Sequence, residues 1–283
     1  MNENASALKA SHSTWPASLQ LVFQEKQQKT IVSTVKHFGP LRIQRPFYPE
    51  KDGTCHLYLL HPPGGIVGGD ELTVQCDLQE NSQALITTPG AGKIYRSNRA
   101  SSIKQKLQLA SQSILEWMPQ ETILYPGAKI NMDTTIRSNQ PAKIFFWDVL
   151  SFGMPATNQI FTDGVCEQNV QVLRDENLIF LEKNRFCSDG DIMQSDWGMR
   201  GFFIHGFALF SAAKVPEILS QLRLSLDGFE NVEFAFTQKS EFIICRCLGN
   251  NIEAVRELLI QVWRIWRENE INKALTFPRI WNT

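Results

Sequence analysis

The chain has 283 residues, 43% of them hydrophobic and 20% charged, with a formal net charge of −1. That is length enough for a sizeable buried core, and the balanced charge gives no field that would favour nucleic acid or an anionic membrane. No apolar run approaches the roughly 18 residues a membrane helix needs, and the polar, Ser-rich start has no basic-then-apolar leader, so the expected location is the cytoplasm.

Residues 1–16 read as a disordered tail, and 17–283 as a single domain. From about Ser18 the pattern is β. Leu19, Leu21 and Phe23 alternate with polar residues, and Ile31–Val35 does the same. Pro40–Pro49 is a loop with three prolines. Cys55–Leu60 and Leu72–Leu78 are strands, and between them lies His61-Pro62-Pro63-Gly64-Gly65-Ile66-Val67-Gly68-Gly69-Asp70. Its prolines suit no central strand. Its glycines permit close approaches that a Cβ would forbid, so it reads as a tight connection, or as a surface for an anion or a second chain. Short strands follow at Gln83–Thr88, Ser101–Leu109, Ser113–Trp117, Thr122–Leu124, Lys129–Arg137, Ala142–Leu150, Ile160–Val172 and Leu178–Leu181. Many short strands with turns between them suggest stacked or sandwiched antiparallel sheet.

After about residue 200 the order becomes β-α-β-β-α. Gly201–Phe210 is a strand. Pro216 opens a helix whose apolar face is Val215, Ile218, Leu219 and Leu222, and Asp227-Gly228 stops it. Val232–Phe236 and Phe242–Cys247 are strands. Asn251 caps a second helix, with Glu253 in its first turn. Its buried face is Ile252, Val255, Leu259, Val262 and Trp266. The fold class is therefore mainly β, with stacked sheets over 17–200 and two late α-helices within 201–283.

The usual enzyme motifs fail when tested. Gly90-Ala91-Gly92-Lys93 lacks the first glycine and the trailing hydroxyl of a phosphate-binding loop, where Thr87 and Ile94 stand instead. The histidines form no HExxH pair, and no GxSxG elbow exists. Cys55, Cys76, Cys166, Cys187, Cys245 and Cys247 are irregularly spaced and read as free thiols of a reducing compartment. Asp70, Asp148 and Glu182 are acids at strand ends or after apolar runs. Each alone reads as a cap or a solvated acid, although an acid pair on a β-rich fold leaves a hydrolase as a competing reading. Thr87 to Ser97, with Thr87, Thr88, Lys93, Tyr95, Arg96 and Ser97, reads either as a solvated loop or as a polar lining for a channel or an acidic partner.

Several segments together resemble one family, the urease accessory protein UreD (UreH). His61–Asp70 resembles its first signature and Thr87–Ser97 its second. Glu116-Trp117-Met118-Pro119-Gln120-Glu121 resembles a third. Trp147-Asp148 with Phe152-Gly153 is similar to a further element, and Pro278-Arg279-Ile280-Trp281 to the terminus. The similarity spans roughly residues 18–283. It departs after Gly153, where the family has Arg and then a Gly-Glu pair, and this chain has Met154 and Asn158-Gln159. The resemblance implies a β-helix-like stack with two helices. It implies no catalysis and no tightly bound cofactor. It also implies a complex with UreF-like and UreG-like accessory proteins on apo-urease, and nickel in transit through an internal polar passage. Oxygen and nitrogen donors suit a passing nickel ion better than thiolates, which hold it too tightly. On that reading Asp70, Asp148 and Glu182, with Thr87 and Thr88, line the route. Gly64, Gly65, Gly68, Gly69, Lys93, Tyr95, Arg96 and Trp281 serve packing or partners. His61 is either a ligand or a structural hydrogen-bonding residue. A pure interaction scaffold that never touches metal remains the alternative.

Overall fold

A computed structural model describes residues 15–154, 157 and 159–282. The part of the expected tail that precedes Trp15 lies outside the described residues. Trp15 and Pro16 are not tail: they open the first strand and pair with Asp70 and Glu71.

The strands in chain order are β1 (Trp15–Lys26), β2 (Lys29–Phe38), β3 (Arg42–Ile43), β4 (Cys55–Leu60), β5 (Asp70–Leu78), β6 (Gln83–Thr87), β7 (Gly92–Ile94), β8 (Ser101–Leu109), β9 (Ile114–Trp117), β10 (Thr122–Leu124), β11 (Lys129–Ser138), β12 (Lys143–Met154), β13 (Gln159–Ile160), β14 (Val165–Arg174) and β15 (Asn177–Cys187). Then come β16 (Ile204–Ser211), α1 (Val215–Ser225), β17 (Val232–Lys239), β18 (Phe242–Gly249) and α2 (Ile252–Glu270). The expected β-α-β-β-α order is present.

The antiparallel expectation fails for the centre of the molecule. The first sheet runs β15-β14-β11-β8-β5-β1-β2, and every junction from β14 to β1 is parallel. In the second sheet β4, β6, β9 and β12 are also parallel. The chain winds as a coil. β5 lies in the first sheet, β6 in the second, and β7 forms a short third ladder with β10 and the end of β12 before β8 returns to the first. Successive coils stack strand on strand. Antiparallel hairpins close the first sheet at both ends, β1 with β2 and β14 with β15. The alternation of two is the same for either strand direction, so periodicity alone misled here.

Burial explains the sequence patterns of the two sheets. The first sheet has one covered face, so β5 and β14 alternate strictly between buried and more accessible positions. The second sheet is covered on both faces, and β12 and β16 are almost continuously buried. One core lies between the sheets and includes Leu21, Phe23, Cys76, Leu107, Ile136, Phe146, Leu150, Phe207 and Ile244. A second lies between the second sheet and the helices, with Phe145, Trp147, Phe210, Leu259, Trp263 and Trp266. Asn251 caps α2 as expected, accepting from the N–H groups of Glu253 and Ala254. The buried face of α2 is wider than expected, because Leu258, Trp263 and Arg267 join it, while Ile252 is only half-buried. Leu178–Leu181 is not a separate short strand but the start of β15.

Candidate functional site

The first signature segment joins strands of different sheets, from β4 in the second to β5 in the first. Ile66 bridges to Ile94 and starts the third ladder. Here Gly65 and Gly68 serve internal packing. A Cβ on Gly65 would sit 2.3 Å from the Tyr95 ring, and one on Gly68 would sit 1.8 Å from Ser97 Oγ. Tyr95 lies over Gly65, donates to Gly64 O at 3.2 Å and packs tilted against Tyr125 at 4.9 Å between centroids. The first and second signatures therefore form one unit.

Beneath that unit, between the sheets, is a cavity of about 370 Å³. Its polar lining includes His61, Thr88, Lys93, Gln105, Gln120 and Asp148. A neighbouring cavity of about 220 Å³ is bordered by Trp15, Pro40 and Asp70 and shares His61, Pro63, Gly65 and Leu72 with the first. Asp70 Oδ2 accepts from the Val67 N–H at 2.9 Å, which fixes the turn. Burial lowers the pKa of His61, with Asp70 opposing, so the imidazole is neutral at pH 7. His61 thus lines both cavities.

From Asp148 a line of polar side chains crosses the interior between the two sheets, the lumen of the coil. Asp148 leaves β12 at the parity of Phe146 and Leu150, so it points between the sheets. Its Oδ2 accepts from Gln168 Nε2 at 2.8 Å. Gln168 Oε1 accepts from Asn184 Nδ2 at 3.3 Å, and that amide also donates to Glu182 Oε1 at 3.3 Å. Glu182 ends in an ion pair with Arg246, whose Nε donates to Oε1 at 3.1 Å and whose Nη2 donates to Oε2. Register explains the line. Gln168 pairs with Asn184 across the β14–β15 hairpin, while Asp148 pairs with Phe207 and Phe207 with Arg246 in the second sheet. Burial raises the pKa of Asp148 to about 6, opposed by the hydrogen bonds from Gln168 and the Val149 N–H. No ion pair reaches Asp148 among the described residues, so at neutral pH it is a buried carboxylate without a counter-cation. His205, buried on β16 at the same lumenal parity, has an Nδ1 with no hydrogen-bond partner among the described residues. Burial pulls its pKa down to about 4.

Asp70, Asp148, Glu182 and Thr88 all face the lumen or its cavities. Thr87 does not. It shares the parity of Leu85, toward the helices, and its Oγ1 accepts from Trp281 Nε1 at 3.0 Å. A strand places neighbours on opposite faces, so Thr87 and Thr88 cannot both line one route. Trp281 stacks on Trp147 at 5.6 Å and braces the second signature from outside. Gly69 lies under the Arg99 guanidinium. Arg96 is exposed beside Asp163 at 3.5 Å. Of the departures, Met154 pairs with Gln159 across β12 and β13, and Asn158 lies outside the described residues.

Gln168, Asn184, Arg246, Gln105 and His205 were missed in the sequence. Their signal is a polar residue at an apolar parity, as Gln168 between Cys166 and Val170. Glu116, from the third signature, serves another purpose. It is buried beneath α2, accepts from Trp263 Nε1 and stands 3.6 Å from Arg267 Nη1. Arg267 also pairs with Glu50, which meets His56 Nε2 at 2.7 Å. Burial raises the pKa of Glu116, against the pull of Arg267 and the Trp263 N–H. This buried network docks the helix on the second sheet.

Among the described residues, no three His, Cys, Asp or Glu side chains gather as a metal-holding group; the lumenal donors are strung along a line. All six cysteines are unpaired. Among the described residues, no helix is long and apolar enough to cross a membrane.

A family profile described as UreD urease accessory protein matches residues 16–282. A urease accessory protein UreD of Saccharophagus degradans is 40% identical, with 95% of this chain and 93% of that protein covered. One from Marinomonas sp. is 37% identical, covering 96% and 91% respectively, and one from Methylobacillus flagellatus 34%, covering 95% of each.

Proposed function

The chain belongs to the UreD urease accessory protein family, and on that premise we propose that it is a non-catalytic urease maturation factor of the cytoplasm. It docks on apo-urease together with UreF-like and UreG-like proteins and passes nickel toward the active site through its lumen. Asp148 carries this reading. It is a buried carboxylate with an amide rather than a cation as its partner, at the wall of a cavity of about 370 Å³ and at the head of a polar line to Glu182. Holding that charge in the fold is costly, and a divalent cation offsets the cost by neutralising it. The neighbouring donors are amide oxygens, a hydroxyl and carboxylates, which bind nickel weakly enough to release it. His61 and Asp70 stand at the other end, where the two cavities adjoin.

The test is urease activation in cells that express the urease subunits and the other accessory proteins with this chain or its variants. Activity and nickel per active site are read together, with co-purification of the partners as the control. Asp148→Ala and Asp70→Ala are expected to lower both readings while the complex still forms. If both variants metallate urease at the normal rate, the lumen is not the route and the chain acts only as a scaffold.

A further inference from the structure

Arg246 stands where the lumen meets the outside. It leaves β18 at the parity of Ile244 and Leu248, toward the lumen, yet its side chain is 40% exposed. On its inner side it forks onto both oxygens of Glu182, which is only 11% exposed. On its outer side it lines an open groove of about 400 Å³ with Leu178, Leu181, Thr237 and Lys239, and no carboxylate is among the residues of that groove. The groove runs between β15 and β17, the outermost strands of the two sheets. Asn184 shares Glu182 Oε1. A divalent ion needs the same lone pairs that the guanidinium holds, so the two compete for one carboxylate.

We propose that Arg246 is a latch on the lumenal line, holding Glu182 closed to metal until its guanidinium swings out into the groove. The latch presupposes that nickel uses the lumen, and it identifies the end that is shut in the free chain. His205 adds a second, independent observation. Its buried Nδ1 has no hydrogen-bond partner among the described residues, and it leaves β16 at the parity of Phe207 and Leu209, toward the lumen. With Arg246 withdrawn, Glu182 and His205 become the donors at this end. Arginine suits the role better than lysine because its planar fork covers both oxygens at once.

Binding of Ni²⁺ to the full chain by equilibrium dialysis tests this. Arg246→Gln is expected to bind Ni²⁺ about tenfold more tightly than the unmodified chain, because the competing fork is gone. The gain should vanish in the Arg246→Gln, Glu182→Gln double variant. Arg246→Lys, which leaves one carboxylate oxygen free, should fall between, and it decides the matter if Arg246→Gln does not fold. The latch is overturned if neither Arg246 variant gains affinity, or if the double variant keeps the gain. Urease activation with Asp148→Ala separates the two ideas. If Asp148→Ala still blocks activation while Arg246→Gln gains nothing, the route stands without a latch. If Asp148→Ala activates normally while the gain at Glu182 is present, Arg246 screens a metal site that is not on a route.

Discussion

Replacing Asp148 by Asn removes the lumenal charge and little else. The side chains are nearly isosteric, and an Asn oxygen still accepts from Gln168 Nε2, which now stands 2.8 Å from the carboxylate. The carboxyl is raised from its ordinary 3.8 to about 6 by burial. That is roughly two pH units, or about 3 kcal/mol at 1.36 kcal/mol per unit. The sign follows from proton counting. Between about pH 4 and pH 6 the folded chain holds a proton on Asp148 that the unfolded chain has released. Stability therefore falls as pH rises across that window, and above it the folded state carries the full cost of the buried charge. Asp148→Asn should thus be about as stable as the parent near pH 3.5, gain through the window, and be more stable by up to about 3 kcal/mol at pH 7.5. Urea unfolding followed by tryptophan fluorescence at a series of pH values measures this. The same protein should activate urease poorly, so that stability rises as function falls. A gain that is independent of pH, or a loss of stability at pH 7.5, would refute the assignment of Asp148 as a buried, uncompensated carboxylate.

Three further outcomes are expected. Thr87→Val removes the hydrogen bond from Trp281 Nε1 and should cost about 1 kcal/mol in urea unfolding, with urease activation unchanged because this side chain does not face the lumen. Gly65→Ala and Gly68→Ala, which drive a methyl into Tyr95 and Ser97, should each cost about 1–3 kcal/mol. Gly64→Ala, with open space around it, should be close to neutral in the same assay. Arg267→Ala leaves Glu50 and Glu116 buried without their cation and should cost about 3–5 kcal/mol; thermal unfolding that hardly moves would show that the network does not dock α2.

Much of the chain could be read before folding. Asn251 and the spacing of Val255, Leu259, Val262 and Trp266 announce α2 because a helix face repeats locally. Strand direction was hidden, since Ile103, Leu107 and Leu109 alternate identically in either orientation. Arg267 and Glu116 were unreadable as partners because their contact joins residues far apart in the chain, and a charged residue taken alone reads as solvated. The same holds for the lumenal line. Asp148 stood out through its family element, but Gln168, Asn184 and Arg246 become meaningful only once the coil brings β12, β14, β15 and β18 around one lumen. Thr87 and Thr88 show the limit of a contiguous motif, because adjacent residues at a strand end point to opposite faces.

The two hairpins that end the first sheet have a consequence for self-association. A stack of parallel coils is in principle endless, since each rung presents the same row of backbone donors and acceptors to the next, whether that rung belongs to the same molecule or to another. Here the rungs stop where β2 and β15 run against the stack. The outermost strands then carry Lys29 and Lys36 at one end, and Lys183 at the other. Lysine at both ends makes each end a poor template for a second copy. The architecture of a fibre is thereby held to the length of one molecule.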